Sequence, residues 1–438
     1  MTKANFKVIV IGGGPVGLTA AQALTKAGID FVLLERRDTC TPDEGSGIAI
    51  GPTTFRLLDQ LDLLDVFDKV GTPINTKKVL SKEGLVYNSY ELHFRECHGR
   101  PIAFMSRLDL LKSLYETLPD SSKAKCLTNK NIASIESLDT GVRVHCDDGS
   151  VHEGSVIWGA DGVHSKTRRL MDEMASIPHE PFPTAFVGLF GNVSRSAVPG
   201  TPAPGTDWES HGSVISSQFF TGEKLCWFII YKALPKPTAE RVTYAQEDVD
   251  AFAEEIKELH LTDKVKFGDV FPHRNHAGLL HLQEGIAPKR NFKRIALLGD
   301  AAAKITPNLG FGYNSGVLDV IQLTNQLKEM LASEDSFEVP VATEKIEQLF
   351  EAYAADRKDY TRKIQDSAWR VVRTVTWGNS IRWMLDRYVY PFFGTEKWFA
   401  ATLIAPVVSR QPVLSWVREK KFVAGNTPWK FRVEGEKV

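Results

Sequence analysis

The stretch FKVIVIGGGPVGLTAAQALTKAGIDFVLLERRD, residues 6–38, decides the fold of this chain. It opens with an apolar, β-branched run from Val8 to Ile11, typical of a strand that is buried on both faces of a parallel sheet. A glycine-rich turn and a helical pattern from Leu18 to Ala27 follow, and a second apolar run from Phe31 to Leu34 ends on an acidic residue. This order predicts a strand–helix–strand unit of an α/β fold.

The turn after the first strand has the spacing Gly12-x-Gly14-x-x-Gly17. The first glycine permits the tight turn, the second lets a pyrophosphate approach the backbone, and the third allows the helix to pack closely on the sheet. The helix N-terminus then faces the phosphates, and Glu35, about 20 residues past the glycines, can accept hydrogen bonds from ribose hydroxyls. Arg36 either contacts the adenosine phosphate region or faces solvent. The unit therefore predicts a dinucleotide site, and by itself leaves NAD and FAD as alternatives.

The composition is that of an ordinary globular protein. A chain of 438 residues suits two or three domains, and a formal net charge of −1 gives no basic footprint for nucleic acid. The five cysteines lie far apart without a C-x-x-C pair, so we predict neither disulfides nor a metal site. No apolar run reaches the roughly 18 residues of a membrane-spanning helix, and the N-terminus lacks a secretory signal pattern. We expect a cytoplasmic protein that at most lies against an intracellular membrane.

Two later segments have the form of a strand that ends in a polar turn. In VIWGADGVHSKTRRL (residues 156–170), Ala160-Asp161-Gly162 is either a simple Asp-Gly turn or a ligand-binding loop, since ligands of α/β sheets bind where strands end. The basic residues 166–169 that follow either attract cofactor phosphates or form a solvated helix face.

The second segment, RIALLGDAA (residues 294–302), predicts a buried strand that ends at Asp300, whose carboxylate can bind a ribityl hydroxyl. The glycines of the following TPNLGFG, Gly310 and Gly312, precede a helix predicted for Asn314 to Leu331. Their backbone N–H groups can face an electron-rich ring edge, because the first turn of a helix leaves its N–H groups unpaired.

Taken in order, the Gly12-x-Gly14-x-x-Gly17, Ala160-Asp161-Gly162 and Gly299-Asp300 signatures resemble those of the group A FAD-dependent monooxygenases of the aromatic-hydroxylase superfamily. Three segments are similar, more narrowly, to the fungal branch that epoxidises prenyl chains of meroterpenoids and indole diterpenes. They are GSGIAIGPTTFRLLDQLDLLD (residues 45–65), KVKFGDVF (264–271) and TPNLGFGYNS (306–315).

The resemblance implies a mixed α/β, PHBH-like architecture. A doubly wound, Rossmann-type FAD domain would take residues 1–75, 100–180 and 283–334. An inserted β-sheet substrate domain would take residues 76–99 and 181–282, and a helical, aromatic-rich region residues 335–438. Four tryptophans of that last region would pack in a core, cover a substrate or contact a membrane interface: Trp369, Trp377, Trp383 and Trp398.

The resemblance also implies a cofactor and its contacts. FAD would be bound near residues that the motifs and the family pattern select. These residues are Gly12, Gly14, Gly17, Glu35, Arg36, Ala49, Arg107, Asp161, Asp300, Gly310, Gly312 and Tyr313.

The activity implied is that of a monooxygenase: NADPH or NADH reduces the flavin, and one oxygen atom of O₂ passes to the substrate. We expect a small apolar substrate, terpenoid or aromatic, that is epoxidised or hydroxylated. No protein nucleophile is required, since the cofactor carries the chemistry. Two residues remain candidates for acid groups: Glu44, which is otherwise a solvated loop carboxylate, and His273, which is otherwise loop surface.

Four positions near the presumed flavin edge differ from the family pattern. Ala303, Phe311, Tyr313 and Val187 are larger or more apolar than the residues common in relatives. Two interpretations follow. Either an apolar substrate prefers an apolar pocket, or oxygen transfer is weakened and the flavin supports a non-redox isomerisation or cyclisation. Fold alone does not decide between them.

Overall fold

The computed structural model describes residues 6–333, 340–392 and 400–431 of the chain. In these residues the strands are β1 (Lys7–Ile11), β2 (Asp30–Leu34), β3 (Gly47–Ile50), β4 (Thr72–Ile74), β5 (Thr76–Ser81), β6 (Val86–Glu91), β7 (Ile102–Ser106), β8 (Cys126–Leu127), β9 (Ile132–Leu138), β10 (Gly141–Cys146), β11 (Val151–Gly154), β12 (Val156–Gly159), β13 (Thr184–Ser194), β14 (Thr206–Gly212), β15 (Ile215–Thr221), β16 (Leu225–Thr238), β17 (Arg274–Gln283), β18 (Gly285–Ile286), β19 (Asn291–Phe292), β20 (Ile295–Leu297) and β21 (Ala303–Lys304).

The α-helices of the same residues alternate with these strands up to β21 and dominate afterwards. They are α1 (Pro15–Ala27), α2 (Pro52–Gln60), α3 (Leu64–Val70), α4 (Phe94–His98), α5 (Arg107–Glu116), α6 (Asp120–Lys123), α7 (Lys166–Met174), α8 (Gln246–Glu255), α9 (Phe267–Val270), α10 (Phe311–Ala332), α11 (Thr343–Val375), α12 (Ser380–Met384) and α13 (Ala405–Val408). None of the helices in the described ranges is long and apolar enough to cross a membrane.

A six-stranded sheet in the order β19–β20–β12–β1–β2–β8 forms the dinucleotide unit. β1 pairs in parallel with both β2 and β12, as the opening stretch predicts. Alternate residues of β1 belong to different cores: Val8 and Val10 pack in the core that contains α1 and α10, whereas Ile9 and Ile11 pack in the core that contains the β9–β11 sheet. A strand covered on both faces must be apolar at every position, which explains its uninterrupted run.

A seven-stranded sheet in the order β17–β13–β16–β15–β14–β5–β6 forms the second layer. Its outer face carries Leu189 and Phe228, which pack against Val249 of α8 and Phe267 of α9. On its other face, Phe186 and Tyr231 pack against Val372 of α11. This architecture confirms the expected mixed α/β fold with an inserted β-sheet unit. The exact domain boundaries stay a prediction.

The described residues between Thr343 and Val408 are mostly helical, whereas residues 409–431 form turns and irregular chain. This last stretch packs back on α2, where Arg56 pairs with Glu419 and Gln60 donates to the carbonyl of Leu414 at 2.8 Å. Trp398 and the predicted boundary at residue 335 lie outside the described residues.

Candidate cofactor and substrate cavity

A cavity of about 1650 Å³ is lined by residues of both large sheets. Pockets for drug-sized ligands usually have volumes of about 300–1,000 Å³, so this one has room for an extended dinucleotide and a second molecule. Eleven of the twelve residues predicted to bind the cofactor line it; the exception is Gly17.

The glycine turn has the geometry that its spacing predicts. Gly12 has a φ of +104°, and a Cβ there would lie 2.6 Å from the carbonyl oxygen of Ala160. A Cβ on Gly17 would overlap the carbonyl oxygen of Gly12, so this residue serves the close packing of α1 rather than the cavity. Gly14, by contrast, has no atom within 4 Å of where a Cβ would be, and it begins α1 without a side-chain cap. The N–H groups of the first turn therefore face open space, where a pyrophosphate fits.

Glu35 supports this turn from the end of β2. Its Oε2 accepts a hydrogen bond from the backbone N–H of Gly13 at 2.6 Å, and Oε1 accepts from the N–H of Arg37 at 2.9 Å. The residue is only 4% exposed yet lines the cavity. Each carboxylate oxygen has a second lone pair, so the group can also receive ribose hydroxyls. Arg36 beside it is exposed at the cavity wall.

Asp161 has a different role from the one proposed for a cofactor ligand. Its Oδ1 accepts from the hydroxyl of Ser165 at 2.5 Å, and Oδ2 accepts from both the N–H and the hydroxyl of Thr167 at 2.9 Å. The carboxylate thus holds the start of α7 together. Although Asp161 lines the cavity, the hydrogen bonds support the alternative of a structural turn.

The basic residues of α7 were predicted either to attract cofactor phosphates or to form a solvated helix face. Arg168 is buried, with its guanidinium 3.9 Å from the ring centre of Phe182, so the helix face is not simply solvated there. Lys166, Arg168 and Arg169 all line the cavity.

Asp300 lies in a tight turn, Gly299–Ala301, that follows β20. Its Oδ2 accepts a hydrogen bond from Nζ of Lys304 at 2.6 Å, and its side chain remains 31% exposed at the cavity. A hydrogen bond to α10 fixes this turn: the N–H of Gly299 donates to Oδ2 of the buried Asp319 at 2.9 Å. Burial alone would raise the pKa of Asp319, but the ion pairs of this carboxylate with Arg290 and Arg357 lower it.

The start of α10 is held by Asn314, which sequence reasoning did not select. Its Nδ2 donates to the carbonyl oxygens of Ala49 at 3.0 Å and Gly310 at 2.7 Å. Its Oδ1 accepts from the N–H of Gly51 at 2.8 Å and from the hydroxyl of Thr54. Gly310 has a φ of +66°, and a Cβ there would lie 2.9 Å from that of Ala49. Ala49 and the helix start thus converge on one wall of the cavity.

Two of the four unusual positions do not face the flavin site. Val187 is buried but absent from the cavity wall, whereas its neighbours Gly188 and Phe190 line that wall. Side chains alternate along a strand, and Gly188 and Phe190 are not on the face that Val187 occupies. Ala303 pairs with Ile286 in the small β18–β21 sheet and does not line the cavity either. Both expectations were therefore wrong.

The other two unusual positions, Phe311 and Tyr313, both line the cavity wall, but their side chains have different surroundings. Phe311 lines it and packs beside Ile364 of α11. Tyr313 has its side chain buried between helices, with its hydroxyl 2.9 Å from Oγ1 of Thr19. Burial raises the pKa of this phenol. Its bulk is therefore used in the core of the dinucleotide unit and does not narrow the substrate space.

Glu44 and Arg107 form one ion pair in the cavity wall. Nη1 of Arg107 donates to Oε2 of Glu44 at 2.6 Å, and Arg37 pairs with Oε1 of the same carboxylate. Burial lowers the pKa of Arg107. Because Glu44 is engaged by two guanidinium groups, the structure favours a structural ion pair over a proton donor.

His273 lies away from the other candidate residues, outside the cavity. It ends a 3₁₀ turn, Phe271–His273, is exposed, and does not line the cavity. The alternative of loop surface is the one that its position supports.

A row of charged side chains on the seven-stranded sheet was missed by the sequence analysis. We call the side chains of Lys77, Asp207, Glu209 and His211 the ionic strip. Asp207, Glu209 and His211 alternate along β14 and face the cavity, and Lys77 lies opposite Asp207 on β5. Lys77 Nζ is 3.3 Å from Asp207 Oδ2 and also pairs with Glu209. The alternation D-W-E-S-H was a visible signal, since only every second residue can face a cavity.

The ionic strip continues into the C-terminal region through Asp386. This carboxylate accepts hydrogen bonds from Tyr87 Oη and Trp377 Nε1, both at 2.8 Å, and lies 2.9 Å from Nδ1 of His211. Burial alone would lower the pKa of His211, but its contacts with Asp386 and Glu209 raise it to about 9.

The pKa values of the two carboxylates that share Lys77 shift in opposite directions. Burial and the neighbouring Glu209 raise the pKa of Asp207. Burial alone would raise the pKa of Glu209 as well, but Lys77 and His211 lower it. The difference arises because His211 contacts Glu209 directly at 3.6 Å, whereas it acts on Asp207 only through its charge.

Beside the ionic strip, Phe104, Phe220 and Ile229 form an apolar wall of the part of the cavity at the seven-stranded sheet, which we call the substrate compartment. Phe104 and Phe220 stack with ring centres 4.0 Å apart, and Ile229 follows on the next strand. Gln218, between Ile229 and Glu209 in the sheet, donates to the carbonyl of Asn308 at 3.1 Å. This bond connects the sheet with the turn that precedes α10.

The described part of the C-terminal region contributes to the cavity, although Trp369, Trp377 and Trp383 do not line it. Asp386, Tyr390 and Val407 line the wall, in agreement with the idea of a substrate cover. Trp369 and Trp383 are 41% and 40% exposed, so core packing was wrong for these two.

The residues fit an FAD molecule: an uncapped helix start for the pyrophosphate, Glu35 at one end, and Asp300 with the start of α10 at the other. Residues 5–368 match the family described as FAD binding domain. FAD-dependent monooxygenase srdH of Neurospora crassa is 33% identical, over 98% of this chain and 99% of its own length. FAD-dependent monooxygenase ausM of Penicillium brasilianum is 31% identical, over 90% of this chain and 84% of its own.

Among solved structures, Klebsiella pneumoniae HpxO, complexed with FAD and uric acid, has the same fold, with a TM-score of 0.72 and 20% identity over 92% of this chain and 98% of that one. The resemblance to fungal FAD-dependent monooxygenases is thereby confirmed. The chain belongs to the FAD-binding family of FAD-dependent monooxygenases, and it is an enzyme of that type with FAD as its cofactor.

Proposed function

We propose that this enzyme uses NADPH or NADH and O₂ to epoxidise or hydroxylate a small prenylated natural-product intermediate. One observation carries the proposal: a single cavity extends from the glycine turn of the dinucleotide unit to the apolar wall of the seven-stranded sheet. A cofactor held at the first end would thus meet a substrate held at the second. When bound, FAD supplies the redox chemistry, namely hydride acceptance and activation of O₂.

The chain's own residues bind and orient. Gly12, Gly14 and the start of α1 hold the pyrophosphate, and Glu35 holds the adenosine ribose. Asp300 holds a ribityl hydroxyl, and the first turn of α10 faces the edge of the flavin ring. Asn314 keeps that turn against Ala49, so the ring has a defined position.

The apolar wall excludes water from the substrate compartment. Phe104, Phe220 and Ile229 offer no hydrogen-bonding group, and Phe311 covers the side next to the helix start. Excluding water protects a reactive oxygen species from side reactions. Epoxidation of an isolated alkene needs no general base, so an apolar wall suits this reaction.

The test separates oxygenation from the non-redox alternative. The purified holoenzyme is incubated with a farnesylated phenol, in air, with and without NADPH. Substrate-dependent NADPH oxidation and a product heavier by one oxygen atom support the proposal. A product of unchanged mass that forms without NADPH would instead indicate isomerisation or cyclisation.

The location of the enzyme is a further part of the proposal: the cytoplasm, with the C-terminal region against an intracellular membrane. Ile381, Trp383, Met384, Tyr388 and Tyr390 are between 40% and 66% exposed. Exposed aromatic and apolar side chains favour a membrane interface. Co-sedimentation with phosphatidylcholine vesicles tests this, and an Ile381→Ser, Trp383→Ser variant should remain in the supernatant.

A further inference from the structure

The ionic strip contains a hydrogen-bond acceptor that the fold leaves without a partner. Asp207 lines the cavity with its side chain 8% exposed. Its Oδ2 lies 3.3 Å from Lys77, whereas its Oδ1 has no hydrogen-bond partner among the described residues. Buried carboxylate oxygens without a donor are rare because each one loses its hydration. A donor from outside the chain would satisfy this oxygen.

The chemistry of the neighbours shows what kind of donor fits. The position between Asp207 and Glu209, where a cation would bind, already holds the ammonium of Lys77. In the described part of the chain, no group of three or more His, Cys, Asp or Glu side chains is arranged to hold a metal ion. A second cation is therefore disfavoured, and a neutral O–H donor is what remains.

The strip also lies where a substrate would reach it. In the sheet, Asp207 is paired with Phe220 of the neighbouring strand, whose ring forms the apolar wall. Adjacent strands are about 4.8 Å apart, so a molecule resting on Phe220 places a substituent beside Asp207.

We infer that Asp207 accepts a hydrogen bond from a hydroxyl group of the substrate, and that the substrate is amphiphilic, with an apolar chain and a hydroxyl-bearing end. This inference rests on the proposed function and narrows its substrate class. Lys77 binds Oδ2 and leaves Oδ1 as the carboxylate oxygen without a partner. The strip then selects the end of the molecule that stays away from the flavin.

The experiment compares 2-farnesylphenol with its O-methyl ether, which has the same chain and no O–H donor. Binding to the FAD-loaded enzyme is measured by equilibrium dialysis without NADPH, so that no turnover occurs. The phenol should bind about tenfold or more tightly than the ether, as expected for a hydrogen bond to a charged group. In Asp207→Ala and Asp207→Leu, two variants without a side-chain acceptor that are made in parallel so that one folded protein is available, the ratio should fall below about threefold.

Asp250→Asn is the matched control, because this exposed aspartate on α8 lies behind the same sheet and pairs with Arg274. It should retain the wild-type ratio. Three outcomes would each overturn the inference: equal binding of the two probes to the wild-type enzyme, binding of neither, or an unchanged ratio in the Asp207 variants. An oxygenated product together with equal binding overturns the inference alone. Selective binding without any oxygenated product overturns only the proposed function.

Discussion

The hydroxyl of Tyr313 lies 2.9 Å from Oγ1 of Thr19, and this contact joins the first turns of α10 and α1, which are separated by 294 residues of chain. Both helix starts face the cavity. Their relative position thus determines the distance between the phosphate end and the ring end of the cofactor site.

Tyr313→Phe should lower the free energy of unfolding by about 1 kcal/mol, the usual value of one hydrogen bond. Thr19 keeps its own bond to the carbonyl of Pro15 at 2.7 Å, so it is not left unsatisfied. Denaturant unfolding of Tyr313→Phe, Thr19→Val and the double variant gives the coupling energy. Tyr388→Phe, at an exposed position, serves as the control. Additive effects of the two changes would show that the contact contributes nothing.

Gly14→Ala should leave the fold intact and weaken FAD binding, because the new methyl group enters open space at the helix start. A loss of about tenfold to a hundredfold corresponds to one or two displaced charged hydrogen bonds. Gly17→Ala is the contrasting variant: its methyl group would overlap the carbonyl oxygen of Gly12, so the protein itself should be destabilised. Thermal unfolding of the apoproteins and FAD titration measure the two effects. Normal FAD affinity in Gly14→Ala would show that the pyrophosphate does not bind at this turn.

Asp300→Ala should weaken FAD retention about tenfold or more, since it removes a charged acceptor for a ribityl hydroxyl. The flavin-to-protein absorbance ratio after dialysis measures it. Asp120→Asn, at a fully exposed carboxylate that does not line the cavity, should keep the wild-type ratio. If Asp300→Ala retains its flavin to the same extent, Asp300 serves only as the partner of Lys304.

The pKa of His211 connects the stability of the enzyme with pH. In the folded protein it is about 9, compared with 6.5 for an ordinary histidine. The folded state binds this proton more tightly, so the stabilisation is complete below pH 6.5 and is lost as pH rises through about 9. It amounts to at most about 3 kcal/mol, since one pKa unit corresponds to about 1.36 kcal/mol.

Asp386→Asn should bring the pKa of His211 back toward its usual range. Unfolding free energies at pH 6, 7.5 and 9 should then decline less in the variant than in the wild type. A histidine NMR titration that finds His211 at its ordinary pKa in the wild type would contradict the ion pair.

Much of the dinucleotide unit could be predicted because its determinants are local. Gly12, Gly14 and Gly17 act through the backbone conformation and close approach of one turn, and the apolar run from Val8 to Ile11 needs only burial on both faces. Asp161 shows the limit of local reasoning. A carboxylate at a strand end suits either a ligand or a helix start, and only the positions of Ser165 and Thr167 decide between them.

What the sequence by itself determined is therefore the strand–helix–strand unit, its FAD signatures and the family. The tertiary structure decided where individual side chains point. The side chain of Tyr313 is buried in the core, and Val187 lies on the sheet face away from the cavity. Lys77 pairs with Asp207, which is 130 residues away along the chain. Backbone patterns depend on neighbours within a few residues, whereas the direction and partners of a side chain depend on packing between elements that are distant along the chain.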